Sequence, residues 1–423
     1  MTLSWVQIFR LGLVQACLGA IVVLMTSTLN RLMVVELSLP VVLPGLLVAL
    51  HYGVQITRPN WGHLADQGGN RTRWIIAGMV MLAAGGMVAA LAIPLLEHHL
   101  ALGLVVSVLA YAVIGLGVGA SGTSLLALLA TATAETRRPA AATITWLMMI
   151  AGIALTAITA GHFLDPYSHA RLALIVAIIC TGAVALTIAA VWGIERRVIT
   201  RPAPPPTRFR DGIKEIWADT RARHFTFFVF LSMTAYFMQE LILEPYAGLV
   251  FGFTPGQSTS MSGAQNGGVF LGMVLVGVAA SGLRLGSLRV WVVSGCMGSA
   301  FVLMAIGMAP ALALPLVPLV IALGFFNGMF AVAAIGSMMQ LAGEGRDKRE
   351  GTRVGLWGAS QAIAAGFGGL AGAALVDLTR SLMPVAEAFG AVFALQALIF
   401  VAAAMMAARI MVRPRPAQLV PGE

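Results

Sequence analysis

The most constraining feature of this sequence is the repetition of long apolar stretches separated by short polar connections. Of the 423 residues, 59% are hydrophobic and only 10% are charged. A membrane-spanning helix needs about 20 consecutive apolar residues, and a bilayer accepts only helices and closed barrels as spanning structures. The composition therefore excludes a soluble two-domain protein and predicts a helical protein with many membrane spans.

Cutting the sequence at charges, prolines and polar clusters gives twelve stretches of suitable length. They cover positions 10–35, 40–57, 74–95, 101–132, 140–164, 171–194, 224–250, 260–282, 289–309, 312–342, 353–379 and 385–409. We predict an all-α membrane protein of twelve helices, with six-helix bundles at 1–194 and 224–423 and a cytoplasmic linker at 195–223. Apolar residues at helical spacing in this proline-rich linker predict either a short amphipathic helix on the membrane surface or a solvated connector.

The basic residues indicate how the chain is oriented, because Lys and Arg are enriched in the cytoplasmic connections of membrane proteins. In the twelve-helix arrangement almost all of them fall on one side. The opposite side or the membrane holds only Arg31, Arg171 and Arg380. Both chain ends are therefore predicted to lie in the cytoplasm. This topological distribution also accounts for the net charge of +9, so no nucleic-acid partner is expected.

Sequence motifs of enzymes and metal sites are not found. The chain has no nucleophile elbow, P-loop or HExxH motif. Its three cysteines stand far apart inside apolar stretches, where they are expected to act as packing residues. We therefore expect a protein that is not an enzyme, with no catalytic residues, no metal site and no covalently bound cofactor.

The connection between the second and third stretches carries a loop motif. Positions 62–73 read GHLADQGGNRTR, which resembles the G-x-L-A-D-x-x-G-[RK]-[RK] loop of the major facilitator superfamily. Gly62 and Gly69 permit a tight turn, and Asp66 can accept charge-assisted hydrogen bonds. We predict a major-facilitator fold in which these residues and Arg71 form a cytoplasmic latch between the halves.

Two departures from the superfamily pattern are visible. The corresponding loop of the second half, at positions 282–287, has no aspartate, so a latch there is weakened or lost. The fifth stretch lacks the Gly-Pro signature that antiporters of this superfamily often carry. Both departures count against a drug/proton antiporter.

Polar residues inside the apolar stretches are candidates for a binding site, because each charge costs at least ~2.5 to 3.5 kcal/mol in the membrane. Arg31 and Glu36 are expected near each other at the non-cytoplasmic end of the first span, as a structural ion pair or as ligand contacts. His51, Gln55 and Arg58 have spacings that place them on one helical face. The imidazole could ligate the magnesium of a tetrapyrrole, hydrogen-bond a carbonyl, or be satisfied by a neighbouring helix.

The seventh stretch contains two glutamates, Glu240 and Glu244, which are one helical turn apart and share a face. Pro245 is expected to break or kink the helix just after them. Two carboxylates at this spacing repel each other, so one is expected to hold a proton or meet a cation. The pair is interpreted as a proton-coupling site or as a structural cap at the helix break.

Three stretches resemble the signatures of the PucC/LhaA family of phototrophic bacteria, also called the bacteriochlorophyll delivery family. They are TLNRLMVVEL at 28–37, RP at 58–59 and MQELILEPY at 238–246. The similarity covers essentially the whole chain. It implies a role in assembling light-harvesting complexes in the photosynthetic inner membrane. The implied cargo is bacteriochlorophyll or a precursor, exchanged with antenna polypeptides or chlorophyll synthase.

On this resemblance, the expected function is an assembly factor that binds or delivers bacteriochlorophyll within the membrane. The alternative is a proton-coupled secondary transporter of an amphiphilic small molecule, and a third hypothesis is a scaffold that only docks other membrane proteins. The residues predicted to line the ligand pocket are Asn30, Arg31, His51, Gln55, Arg58, Gln239, Glu240 and Glu244.

Overall fold

The computed structural model describes residues 2–58, 61, 71–134, 137–195, 220–283, 285–343 and 350–411. Within these ranges the protein is all-helical and contains twelve helices. They are α1 (Trp5–Glu36), α2 (Val42–Val54), α3 (Arg71–His98), α4 (Leu100–Ala132), α5 (Arg138–Leu164), α6 (His169–Val191), α7 (Thr220–Phe251), α8 (Pro255–Val276), α9 (Leu288–Met308), α10 (Leu316–Gly343), α11 (Glu350–Arg380) and α12 (Val385–Ile410).

Eleven of these twelve helices are long and apolar enough to cross a membrane. The remaining helix, α2, has 13 residues, and a 3₁₀ turn at Gln55–Thr57 extends it towards Arg58. The predicted all-α class with many spans is therefore confirmed.

Each half of the helix series has its own hydrophobic core. Leu82 and Ile114 lie in the core of α1–α6, whereas Phe330 and Phe400 lie in the core of α7–α12. Glycine allows the helices to approach closely, as small residues do in membrane bundles. For example, a Cβ atom added to Gly117 of α4 would lie only 2.5 Å from the backbone nitrogen of Leu82 in α3.

The two halves contact each other through α2 with α11 and through α5 with α8. Small residues bring these helices together. A Cβ added to Gly45 of α2 would lie 3.0 Å from the Cβ of Ala373 in α11. A Cβ added to Gly161 of α5 would lie 2.6 Å from the carbonyl oxygen of Gly256 in α8. Tight backbone packing therefore joins the halves at both contacts.

One end of the bundle carries the connections 37–41, 165–168, 252–254 and 381–384, and we call it the Asp165 face. Asp165, just after α5, accepts hydrogen bonds from Gly256 N at 3.1 Å and from the Thr254 hydroxyl at 2.5 Å, at the start of α8. Asp377 of α11 accepts hydrogen bonds from the backbone nitrogens of Val41 (3.0 Å) and Val42 (2.7 Å), at the start of α2.

These two contacts are equivalent in the two halves. In each, an aspartate in or directly after the fifth helix of one half binds the beginning of the second helix of the other half. Free backbone N–H groups and the helix dipole favour an anion at that position. We call Asp165 and Asp377 the aspartate clasps. They hold the halves together at the Asp165 face.

Two helices are irregular near this face. In α1, π-helical turns occur at Leu24–Leu29 and Leu32–Glu36. Because a π turn brings residues five apart together, the guanidinium of Arg31 reaches the carboxylate of Glu36 at 2.5 Å. The predicted ion pair is confirmed. In α7 the helix is interrupted after Glu240.

The cytoplasmic latch can be traced only through Arg71, since Gly62, Asp66 and Gly69 lie outside the described residues. The backbone nitrogen of Arg71 donates to the carboxylate of Glu195 at 2.7 Å, and its guanidinium donates to the hydroxyl of Thr131. These contacts fix the beginning of α3. The latch and the linker helix, which falls within 196–219, stay predictions.

Candidate ligand site between the two halves

The side chains of His51, Gln55 and Arg58 form a hydrogen-bonded row along α2. Gln55 Nε2 lies 3.0 Å from His51 Nε2, and the guanidinium of Arg58 donates to Gln55 Oε1. His51 and Gln55 are buried, whereas Arg58 is exposed. The predicted shared face is therefore confirmed, and the row leads from the interior of the bundle to an exposed cation.

The row also fixes the hydrogen positions of His51. Because a guanidinium only donates hydrogen bonds, the amide oxygen of Gln55 must face Arg58 and its NH₂ group must face the imidazole. His51 Nε2 therefore accepts a hydrogen bond, and the ring proton is on Nδ1, which has no partner among the described residues. In this arrangement His51 offers a ligand an N–H donor. Binding a magnesium ion would require Gln55 to release Nε2 or the proton to move.

A narrow crevice lies beside His51, and it is too small to admit a water molecule. Its other walls come from α1, α2 and α4 and consist of Val22, Met25, Thr26, Val48, Tyr111 and Ile114. Pockets for small molecules have volumes of roughly 300 to 1,000 Å³. The crevice is far smaller than this, so a ligand would reach His51 only after the surrounding helices had moved apart.

The opposite wall of the site comes from α7. Glu240 is half-buried, and its carboxyl group lies close to the hydroxyls of Thr26, Tyr52 and Tyr236. Tyr52 also packs edge-on against the ring of Phe237, with ring centroids 6.0 Å apart. Glu240 therefore faces α1 and α2 across the boundary between the halves.

Sequence reasoning missed the tyrosines of this site. Tyr111 donates a hydrogen bond from its hydroxyl to Met25 O at 3.0 Å and lines the crevice, while Tyr52 and Tyr236 border Glu240. The chain contains only five tyrosines. A tyrosine inside an apolar stretch could have been noticed in the sequence as a candidate site residue, because a buried phenol needs a hydrogen-bond partner.

The break in α7 lies between the two glutamates, not after them as predicted. The chain leaves the helix at Leu241 and re-enters it at Leu243. Pro245 lies in the first turn of the new segment, where its missing N–H is tolerated. The carbonyl of Leu241 accepts a hydrogen bond from Asn30 Nδ2 at 2.8 Å, which replaces the donor that proline lacks.

Because of this break, Glu240 and Glu244 have different neighbours. Glu244 is fully buried against α8 and lies near Ser258, Ser262 and Arg31. Neither of its carboxylate oxygens accepts a hydrogen bond of ordinary geometry from a described residue. The two carboxyl groups therefore do not form the repelling pair that was expected. Glu240 faces the site, and Glu244 is enclosed between the halves.

Three further predicted residues lie away from the His51 row. Gln239 is buried in the second half, where its Oε1 is 3.4 Å from Gln396 Nε2. Asn30 supports the α7 break, and Arg31 donates to Phe253 O at 2.6 Å. Asn30 and Arg31 join the halves near the Asp165 face, and Gln239 packs within its own half.

The fold defines the class of this protein. Solved structures of a D-xylose–proton symporter and a nucleoside transporter superpose on it with TM-scores of 0.72 and 0.71 at 15% and 14% identity. These matches cover 94% of this chain and 97% of the symporter, and 96% of this chain and 99% of the nucleoside transporter. The chain is therefore a membrane protein with the major-facilitator fold.

Sequence comparison gives the family. The model of the PUCC protein family matches residues 28–414, so the chain belongs to that family, which confirms the resemblance inferred from the motifs. A Rhodobacter capsulatus protein named bacteriochlorophyll synthase 44.5 kDa chain is 66% identical over 100% of this chain and 99% of that protein. Protein PucC of Cereibacter sphaeroides is 28% identical over 92% of this chain and 89% of its own length.

Proposed function

We propose that this protein handles bacteriochlorophyll, or an immediate precursor, within the photosynthetic membrane. It exchanges this cargo with light-harvesting antenna polypeptides or with chlorophyll synthase. The observation that carries this proposal is the 66% identity, over the full chain, to a relative whose name associates it with bacteriochlorophyll synthase. At that identity a shared cargo is the expected consequence.

The geometry of the His51 site supports the proposal. An amphiphilic pigment can enter a membrane protein sideways from the lipid, and the site lies where the two halves meet. The Nδ1–H of His51 has no partner among the described residues, and a ring carbonyl of a bacteriochlorophyll is an acceptor that suits it. Because the crevice beside His51 is too small for a ring edge, binding would require α1, α2 and α4 to move apart, with the remaining macrocycle towards Arg58.

The relative's name refers to an enzyme, but we propose a binding role for this chain. The site consists of hydrogen-bonding and aromatic side chains, and the described residues contain no cluster of metal-ligating groups. Such a site suits transient, non-covalent binding better than bond formation. In our proposal the Asp165 face lies on the non-cytoplasmic side and both termini are cytoplasmic, as the distribution of basic residues predicts.

The test is the pigment content of the protein purified gently from a phototrophic host. Wild type, His51→Leu and His51→Asn are compared with His162→Leu, a control at an exposed histidine of α5. Loss of near-infrared absorbance in His51→Leu alone would support hydrogen bonding by His51, since asparagine retains an N–H donor. Loss in both His51 variants would favour magnesium ligation. Pigment in none of the four proteins would refute pigment handling.

Glu244 supports a second candidate function, a proton-coupled carrier of an amphiphilic molecule. A carboxyl group enclosed between the moving halves is what such a carrier requires, and Glu244 is buried between α1, α7 and α8. Reconstituted vesicles with an imposed pH gradient test it. Gradient-dependent uptake of pigment or lipid that is abolished in Glu244→Gln would support the carrier, whereas equal uptake with and without the gradient would exclude it.

A further inference from the structure

The exposed guanidinium of Arg58 is the feature of the site that the proposed function leaves unexplained. Arg58 is exposed, and the distribution of basic residues predicts that it lies on the cytoplasmic side, where its charge is accessible to an anionic ligand. Among the described residues, the groups near the Arg58 guanidinium are neutral. They are the amide oxygen of Gln55 and the phenol of Tyr52. Neither neighbour balances its positive charge.

The surroundings of Arg58 are partly aromatic. A Cβ atom added to Gly119 of α4 would lie 3.4 Å from the ring of Trp61 and 3.8 Å from Cγ of Arg58. These are ordinary van der Waals distances, so α4 lies directly beside both side chains. The Trp61 ring also lies 5.6 Å from that of Trp74. An aromatic surface thus stands next to the cation, as would suit a flat macrocycle with an acidic substituent.

The spacing along α2 adds a second constraint. His51 and Arg58 are seven residues apart, which corresponds to roughly 10 Å along a helix. The side chain of Gln55 orients both, because it donates towards His51 and accepts from Arg58. The row therefore presents an N–H donor at one end and a guanidinium at the other. A ligand that bears a ring carbonyl and a carboxylate on separate edges would satisfy both ends.

We propose that Arg58 recognises a carboxylate, so that the preferred cargo is the free-acid tetrapyrrole, the bacteriochlorophyllide, over its neutral ester, bacteriochlorophyll. This inference rests on the proposed function and specifies its substrate class. The planar fork of arginine matches a carboxylate with two parallel hydrogen bonds, which an ester cannot form equally well. The protein would then carry the acid that a bacteriochlorophyll synthase esterifies.

The experiment measures binding of three pigments to the full-length protein in lipid nanodiscs: bacteriochlorophyllide a, its methyl ester and bacteriochlorophyll a. Protein-free nanodiscs correct for partitioning into lipid. Wild type is expected to bind the acid roughly ten-fold to a hundred-fold more tightly than the methyl ester, the range for a hydrogen bond to a charged group. Arg58→Gln should bind acid and ester alike, and Arg58→Lys should retain part of the preference.

A matched control is Arg10→Gln, since Arg10 donates to Ala189 O and Trp192 O at the end of α6, away from the site. Binding of the methyl ester by Arg58→Gln also shows that this variant is folded. Equal binding of acid and ester by wild type, or an unchanged preference in Arg58→Gln, overturns the inference and leaves pigment handling intact. Failure of wild type to bind any of the three pigments overturns the proposed function itself.

Discussion

The aspartate clasps predict that the two halves separate at the Asp165 face when both carboxylates are removed. In the double variant Asp165→Asn, Asp377→Asn, each site keeps one amide oxygen but loses its charge and its second acceptor. A hydrogen bond to a charged group contributes about 1.5 to 3 kcal/mol, and a charge at a helix end about 0.3 to 1 kcal/mol. Since asparagine retains one bond, we expect each substitution to cost about 1 to 2 kcal/mol.

The two clasps join different helix pairs, so their effects should add to about 2 to 4 kcal/mol. Both must break when this face opens. The open population should therefore rise roughly 30-fold to 700-fold in the double variant, because 1.4 kcal/mol corresponds to a factor of ten. An increase of this size in the open population is measurable.

The assay uses a cysteine at Thr28, which is buried between the halves and bonded to the hydroxyl of Thr259 at 3.2 Å. A membrane-permeant maleimide should label Thr28→Cys slowly in the otherwise wild-type protein and much faster in the double variant. The three native cysteines are buried and provide the background rate. Glu387→Gln, at an exposed acidic residue of α12, is the control. Labelling that is no faster in the double variant than in this control would refute the clasp.

Two further predictions concern packing and hydrogen bonding. Asn30→Ala leaves the carbonyl of Leu241 unpaired, so we expect a loss of about 1 to 3 kcal/mol in stability, measured as a lower thermal unfolding temperature in detergent. Asn30→Asp should lose at least as much, because a carboxylate cannot donate this hydrogen bond. Gly117→Val forces a side chain against the Leu82 backbone and should abolish stable folding or cost several kcal/mol. The control is Gly182→Ala, which should be neutral in the same measurement because the added Cβ has no neighbour within 4 Å.

The sequence predicted the helix count because apolar stretches of spanning length are a strong physical signal. The His51 row was also predictable, since the spacing of four from His51 to Gln55 suits the α-helix and the spacing of three from Gln55 to Arg58 suits the 3₁₀ turn that follows it. Prediction failed where helices are irregular. The break of α7 at Leu241 changed which residues share a face, so Glu240 and Glu244 separated. Pro245 signalled a break, but not that it would begin four residues before the proline.

The aspartate clasps were missed for a different reason. Asp165 and Asp377 stand near helix ends, where an acidic residue usually faces solvent. Their partners are backbone nitrogens of helices in the other half, more than 90 and more than 330 residues away in sequence. Long-range contacts to backbone groups leave no signature in a single sequence. The same holds for the hydrogen bond from Asn30 to Leu241.

The central claim is that this PUCC family protein binds a bacteriochlorophyll-type pigment at the His51 site. It is tested most directly by the near-infrared absorption spectrum of the protein purified from a phototrophic host, compared with His51→Leu and the His162→Leu control. The account predicts pigment absorbance in wild type and in the control, and its loss in His51→Leu. Equal absorbance in all three would contradict binding at the His51 site, and absence of pigment from wild type would contradict pigment binding itself.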